Sequence, residues 1–335
     1  PSGPGPRGAA EVTVATWGGA YEAAKRAPVF EPYTEETGIG VRTRAYAGGL
    51  GALSTRAGPE GWDVVDMLES EAIAACDAGL LRRLDHAAIL GDVAAMRADL
   101  SHGRLRPCSI PQNVFATVIA YDERAFPGVK PTRVADFFDP ERFPGKRALE
   151  KRPDAVLEWA LMAEGVPPAQ VYDLLSTDRG LRLAFDKLDE IRDTIVWWEE
   201  VDEPARLLAE GEVAMASGYN GRFFASALAG APVVIVWDGR LIGHEVWAVP
   251  ASAPGDGAAR GFLAHAARPG PMARLAERIP YGPARRSAFA RIGLHAEARI
   301  PMRDHLPNAP RPELRSLTRD SRWYARTRAL RERRF

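Results

Sequence analysis

Several stretches of the sequence contain part of a catalytic motif, and each lacks a residue that the chemistry requires. The segment MASGY at residues 215–219 does not match the G-x-S-x-G pattern that exposes a serine nucleophile on a sharp turn. The glycines at positions 48, 49 and 51 do not fit the G-x-G-x-x-G dinucleotide fingerprint, and no G-x-x-x-x-G-K-[ST] phosphate loop is present. These patterns give no support for a hydrolase or a transferase.

A metal site is also poorly supported. His244 and Glu245 begin like the H-E-x-x-H zinc motif, but Ala248 stands where the second histidine belongs. Neighbouring residues on a strand point to opposite faces, so this pair would not chelate one metal ion. The six histidines are scattered and the two cysteines lack metal-ligand spacing. We predict no metal, no cofactor and no enzymatic activity. A binding protein needs only a cleft, aromatic walls and a few fixed polar groups.

Length and composition favour a globular protein of about two domains. The chain has 335 residues, of which 46% are hydrophobic. Basic and acidic side chains number 44 each, so the basic excess of a nucleic-acid binder is missing and no nucleic-acid partner is predicted. No stretch approaches the roughly 20 consecutive apolar residues of a membrane helix. We expect a monomer.

Two features bear on the cellular compartment. Residues 1–10 are rich in Pro and Gly and begin without Met, which predicts a flexible leader. No signal peptide is present, and an exported protein would already have lost one. Cys76 and Cys108 are compatible with one disulfide in an oxidising compartment, and equally with two buried free thiols.

Short apolar strands alternate with longer helical stretches, and this order predicts an α/β fold with a mostly parallel, doubly wound sheet. The predicted strands are residues 11–17, 39–46, 63–67, 114–121, 146–149, 194–198, 213–217, 233–237 and 245–249. The predicted helices are residues 28–36, 69–78, 131–138, 154–164, 181–191, 203–210 and 255–268. The Arg-rich tail at 311–335 could bind anions or a membrane surface. We favour a solvated amphipathic helix that packs Trp323, Tyr324 and Leu330 inward.

Taken in order, a series of segments resembles the type II periplasmic binding proteins of polyamine-type ABC importers, the spermidine/putrescine-binding group. Each segment alone is weakly specific, but their number and order carry the resemblance, which extends over roughly residues 11–335. The segments are TWGGAY at 16–21, PYTEETGI at 32–39, WDVV at 62–65, GLLRRLD at 79–85, LAEGEVAM at 208–215, YNGR at 219–222, WAVP at 247–250 and YGP at 281–283.

The resemblance implies a fold of two α/β lobes, each with a doubly wound mixed sheet flanked by helices, joined by a hinge that closes on a ligand held between them. Lobe 1 would comprise residues 11–118 and 241–304. Lobe 2 would comprise 119–240, with a C-terminal helical segment at 305–335 packed on it. The protein would be a periplasmic solute-binding component that delivers its ligand to the transmembrane permease subunits of an ABC importer. The resemblance also implies that Cys76 and Cys108 are bonded.

The same resemblance suggests roles for site residues. Trp17, Tyr219 and Tyr281 would form aromatic walls, with Trp17 stacked on methylenes or facing an ammonium. Glu245 falls where the family often has an amine-binding Asp, and Asp154 lies near a second carboxylate position. The full predicted ligand-binding set is Trp17, Gly18, Gly19, Tyr21, Glu69, Ser70, Asp154, Tyr219, Arg222, Glu245 and Tyr281.

The charge of the ligand stays open at the level of sequence. Glu245 suits a polyamine-like ligand, because a buried carboxylate forms a charge-assisted hydrogen bond with an ammonium. Arg222 stands at a position that is acidic in the putrescine-type site, and it suits a carboxylate or phosphate, or else a structural ion pair. The first alternative to a polyamine-type binder is therefore a binder of an amino-acid-like or anionic solute. Two alternatives from other classes are a same-fold enzyme and a signalling protein that docks on a receptor.

Overall fold

The computed structural model describes residues 10–55, 61–255 and 257–335. The chain forms two compact units. Among the described residues, those within Pro1–Val114 and His244–Arg303 form unit 1, and those within Phe115–Gly243 and Asp304–Phe335 form unit 2. The unit boundaries at 114 and 244 lie within a few residues of the predicted lobe boundaries at 118 and 241. The predicted leader lies outside the described residues, apart from Ala10.

The strands of the described residues are, in chain order, β1 Glu11–Thr16, β2 Gly40–Ala45, β3 Val64–Leu68, β4 Ser109–Asp122, β5 Arg147–Glu150, β6 Ile195–Trp198, β7 Met215–Tyr219, β8 Val233–Ala248, β9 Gly282–Pro283 and β10 Ser316–Thr318. Two of them, β4 and β8, run from one unit into the other. The sequence predicted two strands, 233–237 and 245–249, where β8 is continuous. Gly239 has a φ of 75° and β8 continues through it.

The α-helices are α1 Gly19–Lys25, α2 Glu31–Thr37, α3 Gly51–Thr55, α4 Glu69–Asp77, α5 His86–Leu90, α6 Val93–Asp99, α7 Val156–Ala163, α8 Val171–Leu175, α9 Asp178–Asp189, α10 Glu203–Ala209, α11 Asn220–Leu228, α12 Gly257–Ala266, α13 Pro269–Ala276, α14 Arg286–Phe289 and α15 Ser321–Arg334. A π-helical turn, Arg26–Phe30, joins α1 to α2. Short 3-10 helices occur at Glu123–Ala125, Val134–Phe138, Pro168–Gln170, Arg192–Thr194 and Arg303–His305. Within the described ranges no helix is long and apolar enough to span a membrane.

In unit 1 the strands are ordered β2-β1-β3-β8. β1 pairs in parallel with β2 and β3, and β3 pairs antiparallel with the last part of β8. Val12, Val14, Val64 and Val65 are fully buried, as expected for parallel strands covered on both faces. The carboxyl ends of β1, β2 and β3 meet at one edge, where ligands commonly bind in open α/β sheets.

Unit 2 repeats this plan with the order β6-β5-β7-β4. β5 pairs in parallel with β6 and β7, and β7 pairs antiparallel with β4. The short β10 adds in parallel to the first part of β8. The sheet of each unit is therefore mixed, as the family resemblance implied. The periodicity alone had predicted mostly parallel strands, because it carries no information on the direction of β4 and β8.

The C-terminal tail forms α15 in unit 2. Trp323 and Tyr324 are buried, as predicted. Leu330 is 40% exposed, so its predicted inward position is wrong. The buried position beside it belongs to Arg331, which forms an ion pair with Asp154, while Arg326 and Arg328 are exposed.

A disulfide joins Cys76, near the end of α4, to Cys108, just before β4, so the predicted pairing is present. The two cysteines are 32 residues apart in sequence. Closing a loop of this length restricts the unfolded chain, which in the chain-entropy model stabilises the folded state by roughly 3–4 kcal/mol.

We expect reduction of this bond to lower the free energy of unfolding of the protein by about that amount, roughly 3 kcal/mol. Urea unfolding with and without a thiol reductant measures the difference. The double variant Cys76→Ser/Cys108→Ser serves as the control, since its unfolding should not respond to the reductant. A loss below about 1 kcal/mol on reduction would contradict the prediction.

Candidate functional site

Gly18 and Gly19 turn the chain from β1 into α1. Both have positive φ, 72° at Gly18 and 56° at Gly19, a backbone region that side chains other than glycine rarely adopt. A Cβ at either position would meet nothing within 4 Å. The positive φ values account for the two glycines at this turn, and contact of Gly18 or Gly19 with a solute stays a prediction. The turn sets α1 so that Tyr21 and Lys25, one helical turn apart, face the same part of unit 1.

Lys25 and Asp66 form a fully buried ion pair at the centre of unit 1. Asp66 lies on β3 and Lys25 at the end of α1. Gln112, at the start of β4, bonds to both partners. It accepts a hydrogen bond from Lys25 at 2.9 Å and donates one to Asp66. The Lys25 ammonium also lies 4.1 Å from the ring centre of Tyr21 and 4.3 Å from that of Trp247. Its charge is thus committed to partners within the protein.

Glu245 is the second carboxyl group of this region. In the β3–β8 register Asp66 opposes Trp247 and Leu68 opposes Glu245, so these four side chains share one face of the sheet. Glu245 is 6% exposed and accepts a hydrogen bond from the hydroxyl of Tyr21. The amide of Asn113 in turn donates to that hydroxyl at 2.9 Å.

No Lys, Arg or His in the described part of the chain forms an ion pair with Glu245. Burial, together with the negative charge of Asp66, raises the pKa of Glu245 to about 8, although the charge of Lys25 opposes this. Burial and the same two carboxylates raise the pKa of Tyr21. Tyr21 therefore stays neutral and acts as a donor. One buried cation thus faces two buried carboxyl groups, and an added cation would complete the balance.

Aromatic side chains stand at the same edge of unit 1. The ring centre of Trp17, just after β1, is 5.2 Å from that of Tyr46, just after β2. Glu71 fixes this loop by accepting hydrogen bonds of 3.0 Å from Tyr46 and from the backbone of Gly49. The indole nitrogen of Trp17 is buried and has no hydrogen-bond partner within the described ranges. It is available as a donor to a bound molecule.

The remaining residues predicted in unit 1 have different surroundings. The ring centre of Tyr281 is 5.6 Å from that of Tyr21, which connects it to the Glu245 network. Glu69 is buried, forms an ion pair of 3.0 Å with Arg106, and lies 3.8 Å from His244. Ser70 is buried next to it in the first turn of α4. The structure thus brings Tyr21, Glu245 and Tyr281 together, while Glu69 serves a separate ion pair.

In unit 2, Tyr219 ends β7 and Glu150 ends the neighbouring β5. Burial and nearby Asp154 raise the pKa of Glu150 to about 7. Asp154 forms an ion pair with Arg331 of α15, and its other oxygen is 3.6 Å from Arg319. Asp154 is therefore occupied by two arginines from the C-terminal segment.

Arg222, predicted as an anion-binding residue, lies in the first turn of α11. It forms an ion pair of 3.0 Å with Asp202, whose side chain is 75% exposed. This is the structural ion pair that the sequence left open as the alternative role. Binding of a solute by Arg222 stays a prediction.

Several residues of these clusters were missed by sequence reasoning, namely Lys25, Asp66, Gln112, Asn113, Glu150 and Arg319. The spacing of Tyr21 and Lys25 would have indicated a shared helical face, had a helix been predicted directly after Gly19. The others come together only through strand register and chain crossing. Among the described residues, no group of three or more His, Cys, Asp or Glu side chains is placed to hold a metal ion.

Comparison with known proteins adds a family match. Residues 29–301 match the model of the family described as bacterial extracellular solute-binding protein. The chain is 35% identical over 292 residues to a γ-aminobutyric acid-binding protein of Pseudomonas aeruginosa, which covers 87% of this chain and 81% of that protein. It is 28% identical over 176 residues to the spermidine/putrescine-binding periplasmic protein of Escherichia coli, covering 52% of this chain and 48% of that one.

The fold is similar to solved structures. A crystal structure of an ABC transporter substrate-binding protein from Bradyrhizobium japonicum aligns with a TM-score of 0.85 and 31% identity, covering 97% of this chain and 98% of that one. The two-unit α/β fold described above is therefore that of a substrate-binding protein, as the sequence motifs had indicated.

The buried ion pair generates a stability prediction. Lys25→Met removes the cation and leaves Asp66 buried beside Glu245, and breaking a buried pair in this way costs roughly 3–5 kcal/mol. Arg26→Met, one residue further on, removes only an exposed pair with Glu22 and should cost less than about 1 kcal/mol. Denaturant unfolding of both variants tests this. Equal stability of the two would show that Lys25 does not neutralise Asp66.

Proposed function

This chain belongs to the bacterial extracellular solute-binding family, and from that premise we propose that its solute is a small molecule bearing a primary ammonium group, which Glu245 recognises. The chain is the substrate-binding component of an ABC transporter. What the proposal adds is the chemical group that unit 1 selects and the residues that select it.

The observation that carries the proposal is the incomplete charge balance around Lys25. Its single positive charge faces Asp66 and Glu245, and its contacts are with Asp66, Gln112 and two rings. An isolated ionised carboxylate is costly to bury, which is why the pKa of Glu245 is raised. A solute ammonium would supply the missing cation and form a charge-assisted hydrogen bond with Glu245.

The aromatic residues of unit 1 fit this role. Tyr21 orients the carboxyl group through its hydroxyl, and Asn113 fixes that hydroxyl. The faces of Trp17 and Tyr281 would contact the methylenes of the solute or its ammonium, with cation–π contacts worth roughly 0.5–2 kcal/mol each. Such a site accepts the ammonium end of a solute and does not by itself define the rest of the molecule.

The named relatives support an amine. One is named for γ-aminobutyric acid and another for spermidine and putrescine, and all these molecules have a primary ammonium group at neutral pH. We therefore keep both an amino-acid-like solute and a polyamine-like solute within the proposed class. The Glu245 site supports the feature that the two share.

The proposed cellular role follows from the family. A substrate-binding protein of an ABC importer binds a small solute and works with transmembrane permease subunits. We propose that this one acts as a periplasmic monomer and passes its solute on without chemical change. The disulfide supports an oxidising compartment, and the Escherichia coli relative is named as a periplasmic protein.

Glu245→Gln should lower the affinity for any ammonium solute by roughly 10–100-fold, the worth of a charge-assisted hydrogen bond. Putrescine and 4-aminobutanoate, first screened by thermal shift, are the probes, and calorimetry gives the dissociation constants. The control is Glu36→Gln, which alters a partly exposed ion pair with Arg268 in the same unit. It should leave the dissociation constants of both probes unchanged. If Glu245→Gln binds both probes with affinities within twofold of those of the wild type, Glu245 does not contact the solute.

The same variant has an opposite effect on stability. Because the pKa of Glu245 is raised in the folded protein, the stability associated with its bound proton is lost as pH rises through about 8. Gln cannot ionise, so Glu245→Gln should raise the unfolding midpoint of the solute-free protein at pH 9 by roughly 2 °C or more. A variant that is merely misfolded would instead unfold at a lower temperature at every pH.

Solute affinity should rise with pH below about 8. In the solute-free protein Glu245 holds a proton until about pH 8, and the groups facing it are Asp66, Lys25 and Tyr21. An ammonium binds the ionised carboxylate, so binding releases this proton and the affinity should increase roughly tenfold per pH unit between 6 and 7. Calorimetry in buffers of different ionisation enthalpy measures the released proton. A constant affinity over that interval would contradict this account.

A further inference from the structure

The C-terminal helix α15 is held on unit 2 by one of its faces. The indole nitrogen of Trp323 donates a hydrogen bond of 2.9 Å to Ser176, and the ring centre of Tyr172 lies 5.1 Å from that of Trp323. Arg331 completes this face through its ion pair with Asp154. These contacts fix the orientation of the helix, so the residues of its opposite face are turned towards solvent.

That opposite face carries a row of arginines. Arg322, Arg326 and Arg333 are exposed, and their spacing of four and then seven residues places them along one side of the helix. Within the described ranges, none of the three side chains forms an ion pair or a hydrogen bond. No carboxylate among the described residues therefore neutralises this row by direct contact.

Apolar side chains accompany the arginines. Leu330, which is 40% exposed, lies four residues after Arg326 and three before Arg333, so it occupies the same surface between them. Phe335 follows the helix and is 37% exposed, and its ring centre lies 5.6 Å from that of Trp197, which is 43% exposed. A solvated charged face requires none of these exposed apolar groups.

The positive charge of the protein is concentrated at this helix. Residues 321–335 contain six arginines and one glutamate, which gives a net charge of +5. Because the chain as a whole has no net charge, the rest of it carries −5. Like charges placed this close repel one another, and contact with an anionic partner would replace that repulsion with attraction.

We propose that the basic stripe of α15, made up of Arg322, Arg326, Leu330 and Arg333, binds a membrane surface that contains anionic phospholipid. Guanidinium groups pair well with phosphate, which a lipid headgroup provides. Leucine and aromatic side chains beside basic residues are typical of surfaces that contact the headgroup region. A purely polar anionic partner would match the arginines and leave the exposed apolar groups without a contact.

The contact is one of adsorption, not insertion. The buried face of α15 packs on unit 2, so the helix lies on the lipid surface with its apolar face still inside the protein. Each arginine near an anionic surface adds roughly fivefold to the affinity. The attraction falls off over a Debye length of about 10 Å at 0.1 M salt. Binding is therefore reversible and sensitive to salt, and it keeps this substrate-binding component close to the membrane in which its transporter lies.

The test measures sedimentation of the full chain with two kinds of lipid vesicle. One kind is pure phosphatidylcholine, and the other contains about one third phosphatidylglycerol, which is anionic. At about 0.05 M salt, the wild type should bind the anionic vesicles roughly 100-fold more tightly than the neutral ones. Raising the salt to about 0.5 M should reduce this binding by at least tenfold.

Two triple variants separate the stripe from total charge. Replacing Arg322, Arg326 and Arg333 by Gln should weaken binding to anionic vesicles by roughly 30–100-fold. The matched control replaces three exposed arginines of unit 1 by Gln, namely Arg83, Arg97 and Arg291. It removes the same charge and should bind within about threefold of the wild type. Because all six positions are exposed, both variants should keep the unfolding midpoint of the wild type.

A third variant replaces the three stripe arginines by Lys. Because attraction to a charged lipid surface depends mainly on charge, this variant should bind anionic vesicles within about threefold of the wild type. If it instead loses as much binding as the Gln variant, the stripe recognises a specific partner through its guanidinium groups, and the lipid proposal is overturned.

Three other outcomes would also overturn the proposal. The first is wild-type protein that does not bind anionic vesicles at low salt, or binds neutral vesicles equally well. The second is a control triple variant that loses as much binding as the stripe variant, since total charge would then be responsible. The third is a dimer, detected by analytical ultracentrifugation, that the stripe variant abolishes while vesicle binding is absent; the stripe would then contact a second copy of the chain.

Discussion

The charge balance on one face of the unit 1 sheet is the constraint on which the rest of the site depends. Lys25 can neutralise one carboxylate, and the fold places two, Asp66 and Glu245, on that face. Gln112, Asn113 and the hydroxyl of Tyr21 satisfy hydrogen bonds but add no charge. The solute-free protein meets the deficit by keeping a proton on Glu245, and the bound protein would meet it with the ammonium of the solute.

A buried ion pair is weak evidence for stability, because the cost of desolvating two charges offsets much of their attraction. Lys25 and Asp66 have a clearer role in setting the protonation state of the neighbouring Glu245. Asp66 makes Glu245 harder to ionise, and Lys25 limits that effect. In the proposed site the carboxyl group of Glu245 is therefore poised near physiological pH, and the ammonium of the solute would displace its proton.

Much of the fold could be predicted from the sequence, because strand β1 and helix α4 are ended by glycines and strand β3 is a short apolar run. The ordered motifs also implied the mixed sheets and the bond between Cys76 and Cys108. Helix α1 could not be predicted, because two glycines in succession look like the start of a loop. Their positive φ values instead begin a helix at once, and with that helix the role of Lys25 was missed.

The candidate site was predicted in part. Glu245, Tyr21 and Tyr281 were named and come together, since the hydroxyl of Tyr21 donates to Glu245 and its ring lies 5.6 Å from that of Tyr281. Arg222 was named because it sits inside the YNGR motif, whereas Arg319 lies in no motif and was missed. Only the return of the C-terminal segment into unit 2 puts Arg319 near Asp154, and local patterns carry no signal for such a contact.

The central claim is that the solute ammonium replaces the proton of Glu245, and the side-chain carboxyl carbon of Glu245 reports it directly. An NMR titration of this carbon in the solute-free protein should show a midpoint near pH 8. In protein saturated with 4-aminobutanoate the midpoint should move to clearly lower pH, because the bound ammonium stabilises the carboxylate. The same midpoint with and without solute, despite saturation, would contradict the account.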